Sequence, residues 1–274
     1  MSPVDNPSAG LVCSSAVLSA HPPSRGELSI EHAGYQGKEY QTWYKVVGNL
    51  DNCAQTLLVV VHGRPSLSHD YLLPLSDLAT KFSIPVIFYD QIGNSHSTHL
   101  PSKPPSFWTI DLFIDELPEG LHHLVLTNSL ADMEMWNVLT GKLSKAFLED
   151  VQKGLAVGVV NIEAYGKALK VFHKKHGCLV DPWPEELVYS MNQPISPLAD
   201  TSIAVGIIID GLENVSVPTF VINGRADIAQ DFVVESLFRG IQQVQWVTIK
   251  KSSHTPMWEE QERYMELVNG FLSL

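Results

Sequence analysis

The sequence is short of cysteine and of basic residues, and each shortage excludes something. Cys13, Cys53 and Cys178 are its three cysteines, too widely spaced to lay out a disulfide framework, which points to a reducing, cytoplasmic setting. Eighteen Lys and Arg stand against 30 Asp and Glu, a net charge of −12, and no basic block offsets the deficit. A nucleic-acid partner needs a basic stripe to meet phosphates, and an anionic membrane surface needs one too, so neither is expected as a partner. No run reaches the 18 apolar residues of a membrane span. Residues 11–20 are mildly apolar, but Ser14 and Ser15 interrupt them and no Lys or Arg precedes Arg25, which argues against a secretory leader. The last three residues, Leu272-Ser273-Leu274, lack the basic residue of a peroxisomal address.

What is present reads as globular. Apolar residues make up 45% and charged residues 18% of 274, with 18 Gly and 17 Pro, which excludes disorder, collagen and coiled coil. Short apolar runs alternate with helical periodicity, the pattern of a parallel sheet flanked by helices. Leu57-Leu58-Val59-Val60-Val61 breaks at His62-Gly63, as a strand buried on both faces should. Pro85 to Tyr89, Leu124 to Leu126, Thr219 to Ile222 and Val244 to Ile249 supply four more strands, and the alternating Trp43 to Val47 reads as an edge strand. Ile110, Phe113, Ile114 and Leu117 mark one helix face; Tyr264, Leu267, Val268 and Phe271 mark another. Residues 1–40 are rich in Gly, Ser and Pro and are expected to carry little structure. Residues 131–192 are helical in pattern, with no strand run.

Parallel sheets collect reacting groups where strands end. Four strand ends carry candidates: His62-Gly63-Arg64-Pro65-Ser66, whose backbone N–H groups could face an oxyanion; Asp90-Gln91-Ile92-Gly93-Asn94-Ser95-His96-Ser97, a tight turn braced by Asp90; Asn223-Gly224-Arg225-Ala226-Asp227; and Ser252-Ser253-His254. Asp227 and His254 are separated by one helical segment and one strand, so they follow neighbouring strands, where a carboxylate can hold an imidazole in one tautomer.

These motifs, in this order, resemble the α/β-hydrolase peptidases of the proline iminopeptidase type, and fungal amino-acid amidase-like members most of all. The resemblance covers about residues 40–274, including Gln41-Thr42-Trp43-Tyr44-Lys45 and Asp181-Pro182-Trp183-Pro184. It implies an α/β-hydrolase core over residues 41–130 and 216–274, mostly parallel sheet flanked by helices, with an inserted helical cap over 131–215. It also implies Asp227 as triad acid, His254 as base, and Gly63 with Arg64 at the oxyanion turn. The reaction implied is acyl transfer on an amide or ester of a small molecule or short peptide, with no cofactor and no metal, and a place in fungal secondary metabolism.

The family needs a Gly-x-Ser-x-Gly nucleophile elbow, and the sequence has none. Asp115-Glu116-Leu117 runs straight into Pro118-Glu119-Gly120-Leu121, which resembles family sequence from beyond the elbow helix. The expectation is therefore the loss of a central strand–elbow–helix unit, with a smaller gap between Ser190 and Met191, as an over-called intron would produce. The strands flanking the loss would have to pair directly or leave backbone groups unpaired. Arg64 and Ser66 also replace family glycines, and the Cβ of Arg64 penalises positive φ. The chain as written is expected to be catalytically impaired. The alternative is a metabolite-binding or acid–base (lyase or isomerase) protein on the same scaffold.

Ser95 differs from the elbow pattern only at its last residue and is the substitute nucleophile to examine, although the family turn there usually has glycine. Ser129 follows a strand without flanking glycines and reads as scaffold. His173, His176 and Cys178 have metal-ligand spacing but no fourth ligand nearby, so a cap helix is the preferred reading. Trp136, Phe172 and Trp183 are expected either to line a pocket or to pack the cap.

Overall fold

The computed structural model describes residues 27–32, 40–50, 57–63, 67–109, 112, 121–193 and 209–274. It divides into two compact units, residues 1–121 with 185–204, and residues 122–184 with 205–274.

The first unit is built on four strands, β1 (Glu27–His32), β2 (Tyr40–Val47), β3 (Leu58–Val61) and β4 (Val86–Tyr89), in the order β1-β2-β4-β3. The apolar runs predicted as β3 and β4 pair in parallel, Val59 opposite Ile87, and Val86 and Phe88 are fully buried. β2 is not the edge strand its alternation suggested. It lies antiparallel between β4 and β1, and β1 falls inside the segment expected to carry little structure. The sequence Glu27-Leu28-Ser29-Ile30-Glu31 alternates polar and apolar residues, a strand signal that the surrounding Gly, Ser and Pro obscured. A 3-10 stretch, His69–Ser76, and helix α1 (Asp77–Phe82) connect β3 to β4.

The second unit holds three parallel strands, β5 (Leu124–Thr127), β6 (Thr219–Gly224) and β7 (Val244–Ile249), in that order. β6 is central and wholly buried, as its uninterrupted apolar run requires. Three helices follow β5: α2 (Met133–Ser144), capped by Asp132, α3 (Glu149–Val157), and α4 (Ile162–His176), capped by Asn161. Helix α5 (Glu185–Met191) belongs to the first unit, where Ser190 is buried and its hydroxyl donates to the Ser68 carbonyl and accepts from the Ser68 N–H. The helix passes through the Ser190–Met191 junction. In the second unit α6 (Asp231–Gly240) lays Val234 and Leu237 against Val221. After β7 come α7 (Pro256–Glu259) and the C-terminal α8 (Gln261–Leu272), which buries the predicted Tyr264, Val268 and Phe271.

The seven strands thus fall in two sheets. Among the described residues β3 pairs with β4 alone and β5 with β6 alone, so both are edge strands, as β1 and β7 are at the opposite ends of the two sheets. Val61, at the end of β3, is 45% exposed. The helix expected over 110–117, apart from residue 112, and the Leu117–Pro118 junction lie outside the described residues. No helix among the described residues is long and apolar enough to cross a membrane.

Candidate active site

β6 delivers its chain to Gly224 and then to a tight loop that carries Asp227. Asn223, at the strand's end, fixes that loop with four side-chain contacts. It donates to the Ala229 carbonyl and to Asp231, and accepts from Trp246 Nε1 (2.8 Å) and Thr248 Oγ1 (2.9 Å). β7 delivers the neighbouring loop, Ser252-Ser253-His254. The two loops are stitched by Arg225 N–H to the Ile249 carbonyl (2.8 Å) and Ala226 N–H to that of Ser252 (2.9 Å). Asp227 is fully buried, and its Oδ1 accepts from His254 Nδ1 at 2.7 Å. The structure therefore brings together Asp227 and His254, the two residues that the strand pattern placed on neighbouring strands.

The electrostatics suit a base. Burial works against a charged His254, but the Asp227 carboxylate, by charge and hydrogen bond, and then Glu259 outweigh it and raise the imidazole above its ordinary value. Asp227 Oδ2 is buried without a hydrogen-bond partner among the described residues. Glu259 accepts from Ser253 N–H and Ser253 Oγ, and so fixes the residue before the histidine.

Asn128, just past β5, was missed by the sequence reading. Its Nδ2 donates to the His254 carbonyl (2.6 Å) and its Oδ1 accepts from Gly224 N–H (3.2 Å), so one side chain ties both loops to the sheet. It has a positive φ of 52°. An Asn immediately after a strand, the commonest non-glycine residue for such a backbone, was the available signal.

The other predicted site residues lie in the first unit. His62 is buried; its Nε2 accepts from Gln91 N–H and its Nδ1 donates to the Gly63 carbonyl, so it ties the end of β3 to the next turn. Burial holds its pKa below the ordinary value. The N–H of Gly63, an oxyanion candidate, donates to Tyr71 Oη at 2.8 Å. Burial pushes the Tyr71 phenol up to about 12, which keeps it protonated at neutral pH. Arg64, the other oxyanion candidate, lies outside the described residues.

Asp90 braces its turn as expected. Its carboxylate accepts from the backbone N–H groups of His69 and His96 and from Nδ1 of both rings. Burial opposes its charge, yet the His69 hydrogen bonds and charge, with the hydrogen bond from the His96 side chain, hold the carboxyl far below the usual range. Trp43 stacks against both rings, with centroids 4.4 and 4.8 Å away. The sequence reading overlooked His69. One ligand atom each from His69, Asp90 and His96 lies within 4.8 Å of the others, a spacing that could hold a metal ion. Both rings spend Nδ1 on the carboxylate, so Nδ1 of either could bind a metal only after losing its proton.

Ser95 Oγ lies 3.0 Å from His96 Nδ1, and the same nitrogen lies 2.8 Å from Asp90 Oδ2. A relay needs the serine and the acid on different ring nitrogens, so this trio is no triad. Ser95 has φ 40°, in the left-handed region that favours glycine.

The sequence-spaced His173, His176 and Cys178 do not converge. His176 Nδ1 donates to the Ala226 carbonyl, and the Cys178 thiol is buried, which raises its pKa. Phe172 is 1% exposed and packs on Phe147 and His176, so it fills the helical layer rather than a pocket. Trp183 donates to the Cys178 carbonyl.

No known family profile matches the chain. Among curated proteins it is similar to the proline iminopeptidase of Lactobacillus helveticus, 24% identical over 85% of this chain and 94% of that one. That alignment spans 285 positions but takes in only 85% of 274 residues, so roughly fifty positions of the relative have no counterpart here, more than a whole strand–helix–strand unit. Among solved structures, VinJ shares 30% identity at a TM-score of 0.82, over 92% of this chain and 99% of VinJ. The proline iminopeptidase of Mycobacterium smegmatis shares 26% at 0.78, over 90% and 98%.

Proposed function

Because the chain belongs to the α/β hydrolases of the proline iminopeptidase type, we propose that it carries the acid–base half of an acyl-transfer site and lacks the nucleophile. The Asp227–His254 contact at 2.7 Å, with the acid buried and the base raised, carries this reading. In the full reaction a serine would attack an amide or ester carbonyl, His254 would take its proton and pass it to the leaving group, and Asp227 would hold the ring and stabilise its charge. The sequence has no elbow to supply that serine. The open edges of β3 and β5 and the unmatched positions of the relative both support an omitted strand–elbow–helix unit. Helices α2 to α4 are taken as cap, with substrates that are short peptides or small amides bearing a free amino group. A role in fungal secondary metabolism and a cytoplasmic location rest on the sequence motifs and cysteine usage.

Reading the genomic DNA across the Leu117–Pro118 junction tests the omission. An in-frame Gly-x-Ser-x-Gly there, followed by turnover of amino-acid amides by the restored chain, is the expected result. Transcripts that cross the junction directly, from a gene with no such segment, would refute it.

The second reading, proton transfer without a nucleophile, is favoured by one observation: the pair is complete in a chain that has no elbow. It predicts lyase or isomerase turnover by the chain as written that disappears with His254→Ala.

A further inference from the structure

The side chain of His176 is 5% exposed at the end of α4, and the acyl-transfer reading gives it no task. Its Nδ1 stands 2.6 Å from the carbonyl oxygen of Ala226, the residue before Asp227. A carbonyl only accepts, so Nδ1 carries the proton and Nε2 is a bare lone pair. Among the described residues Nε2 is buried without a partner, and the ring rests against Phe147 and Phe172. Burial disfavours the charged form, which keeps the ring neutral and the tautomer single.

The three residues that follow continue the attachment to the other loop. The Gly177 carbonyl accepts from Thr255 Oγ1 (3.2 Å), the Cys178 thiol bonds to the Thr255 side chain, and Leu179 N–H donates to Glu259 Oε1 (2.7 Å). Glu259 is the carboxylate that fixes Ser253. One segment, 176–179, thus grips the acid loop through Ala226 and the base loop through Thr255 and Glu259.

The geometry points to His176 as a positioning residue for the Asp227–His254 pair: its Nδ1–H holds the peptide that presents the Asp227 carboxylate. The proposal rests on the reading of Asp227 and His254 as an acid–base pair, but not on the chain being active. A Phe at 176 fills the space without a donor, whereas an Asn returns a donor near the place of Nδ1.

Proton and nitrogen NMR of the full chain, labelled at histidine, tests this without turnover. In the unmodified protein His176 should show the Nδ1–H tautomer, and His254 a far-downfield Nδ1 proton from its bond to Asp227. His176→Phe should lose that proton signal and lower the His254 titration midpoint by about one pH unit, while His176→Asn should keep both near normal. The opposite tautomer at His176, an unchanged signal and midpoint in His176→Phe, or their loss in a folded His176→Asn would each overturn the proposal. Should His176→Phe not fold, the tautomer and the Asn variant still decide. Asp227→Asn separates the two levels: if it leaves His254 unchanged, the acid–base reading fails; if it alters His254 and His176→Phe does not, only the positioning role fails.

Discussion

Gly224 and Ser253 pass so close that a Cβ on Gly224 would stand 2.0 Å from the Ser253 carbonyl oxygen, and 2.6 Å from that of Ser252. Both obstacles are backbone, so neither can swing away. The near-contact of the two loops is what lets Asp227 reach His254, and it requires residue 224 to have no side chain. Gly224→Ala should force the loops apart at a cost of about 3 kcal/mol, read as a lower thermal midpoint, with loss of the downfield His254 proton. A variant that melts like the parent and keeps that proton would show that the approach is looser than described.

The raised His254 pKa has a definite sign. Its folded value lies above the ordinary one of about 6.5, so the folded state favours the proton. The stabilisation from the imidazolium–carboxylate contact is complete below the ordinary value and is lost as pH rises through the folded value. Because the His254 side chain is 37% exposed, solvent screening keeps this contribution small. Asp227→Asn removes the principal raising influence and leaves burial to act, so the midpoint should fall below that of the parent. An NMR titration of the ring reads it directly, and a midpoint that stays put would dissociate the pair.

Asn128 should matter for its side chain more than for its backbone. Asn128→Ala removes the bonds to the His254 carbonyl and from the Gly224 N–H, at about 1–3 kcal/mol, and adds strain at positive φ. Asn128→Gly removes the strain but not the loss of both bonds. Denaturant unfolding should therefore find both variants destabilised, with alanine the worse. Parent-like stability of the glycine variant would mean that only the backbone conformation counts.

Ser95→Gly should be neutral to stabilising. A side chain in the left-handed region costs about 1–2 kcal/mol, against about 0.4–1 kcal/mol for the freer unfolded glycine. A net gain of up to about 1 kcal/mol would raise the thermal midpoint by about 2–4 °C. A clear fall would mean that the Ser95–His96 contact outweighs the strain.

The sequence was most legible where burial dictates composition. β3, β4, β6 and β7 are apolar runs ended by polar or Gly residues, and each was found within a residue or two. The pair Asp227 and His254 was legible because each follows such a run. β1 was hidden by its Gly- and Pro-rich surroundings, and the place of β2 inside the sheet depends on β1. Asn128, His176 and Tyr71 act through backbone atoms distant in sequence, and no spacing rule finds such partners. Gly63 was assigned from its turn and from the resemblance, and its bond to Tyr71 is visible only in the structure.

The remaining prediction concerns reactivity. A serine becomes a strong nucleophile when a base within hydrogen-bond reach takes its proton. Asp227 and His254 are assembled, but the sequence has no elbow to present a serine, and Ser95 shares with Asp90 the one nitrogen of His96 that both face. The folded chain as written should therefore remain unlabelled by a fluorophosphonate probe, and amide turnover should stay at the level that positioning alone provides. Inserting a strand–elbow–helix unit between Leu117 and Pro118 should restore labelling, and His254→Ala should then abolish it. The insertion also supplies apolar strand and helix surface, so the restored chain should melt at a higher temperature than the chain as written. Stoichiometric labelling of the unrestored protein would sink this account, and an adduct mapped to Ser95 would make that residue the nucleophile after all.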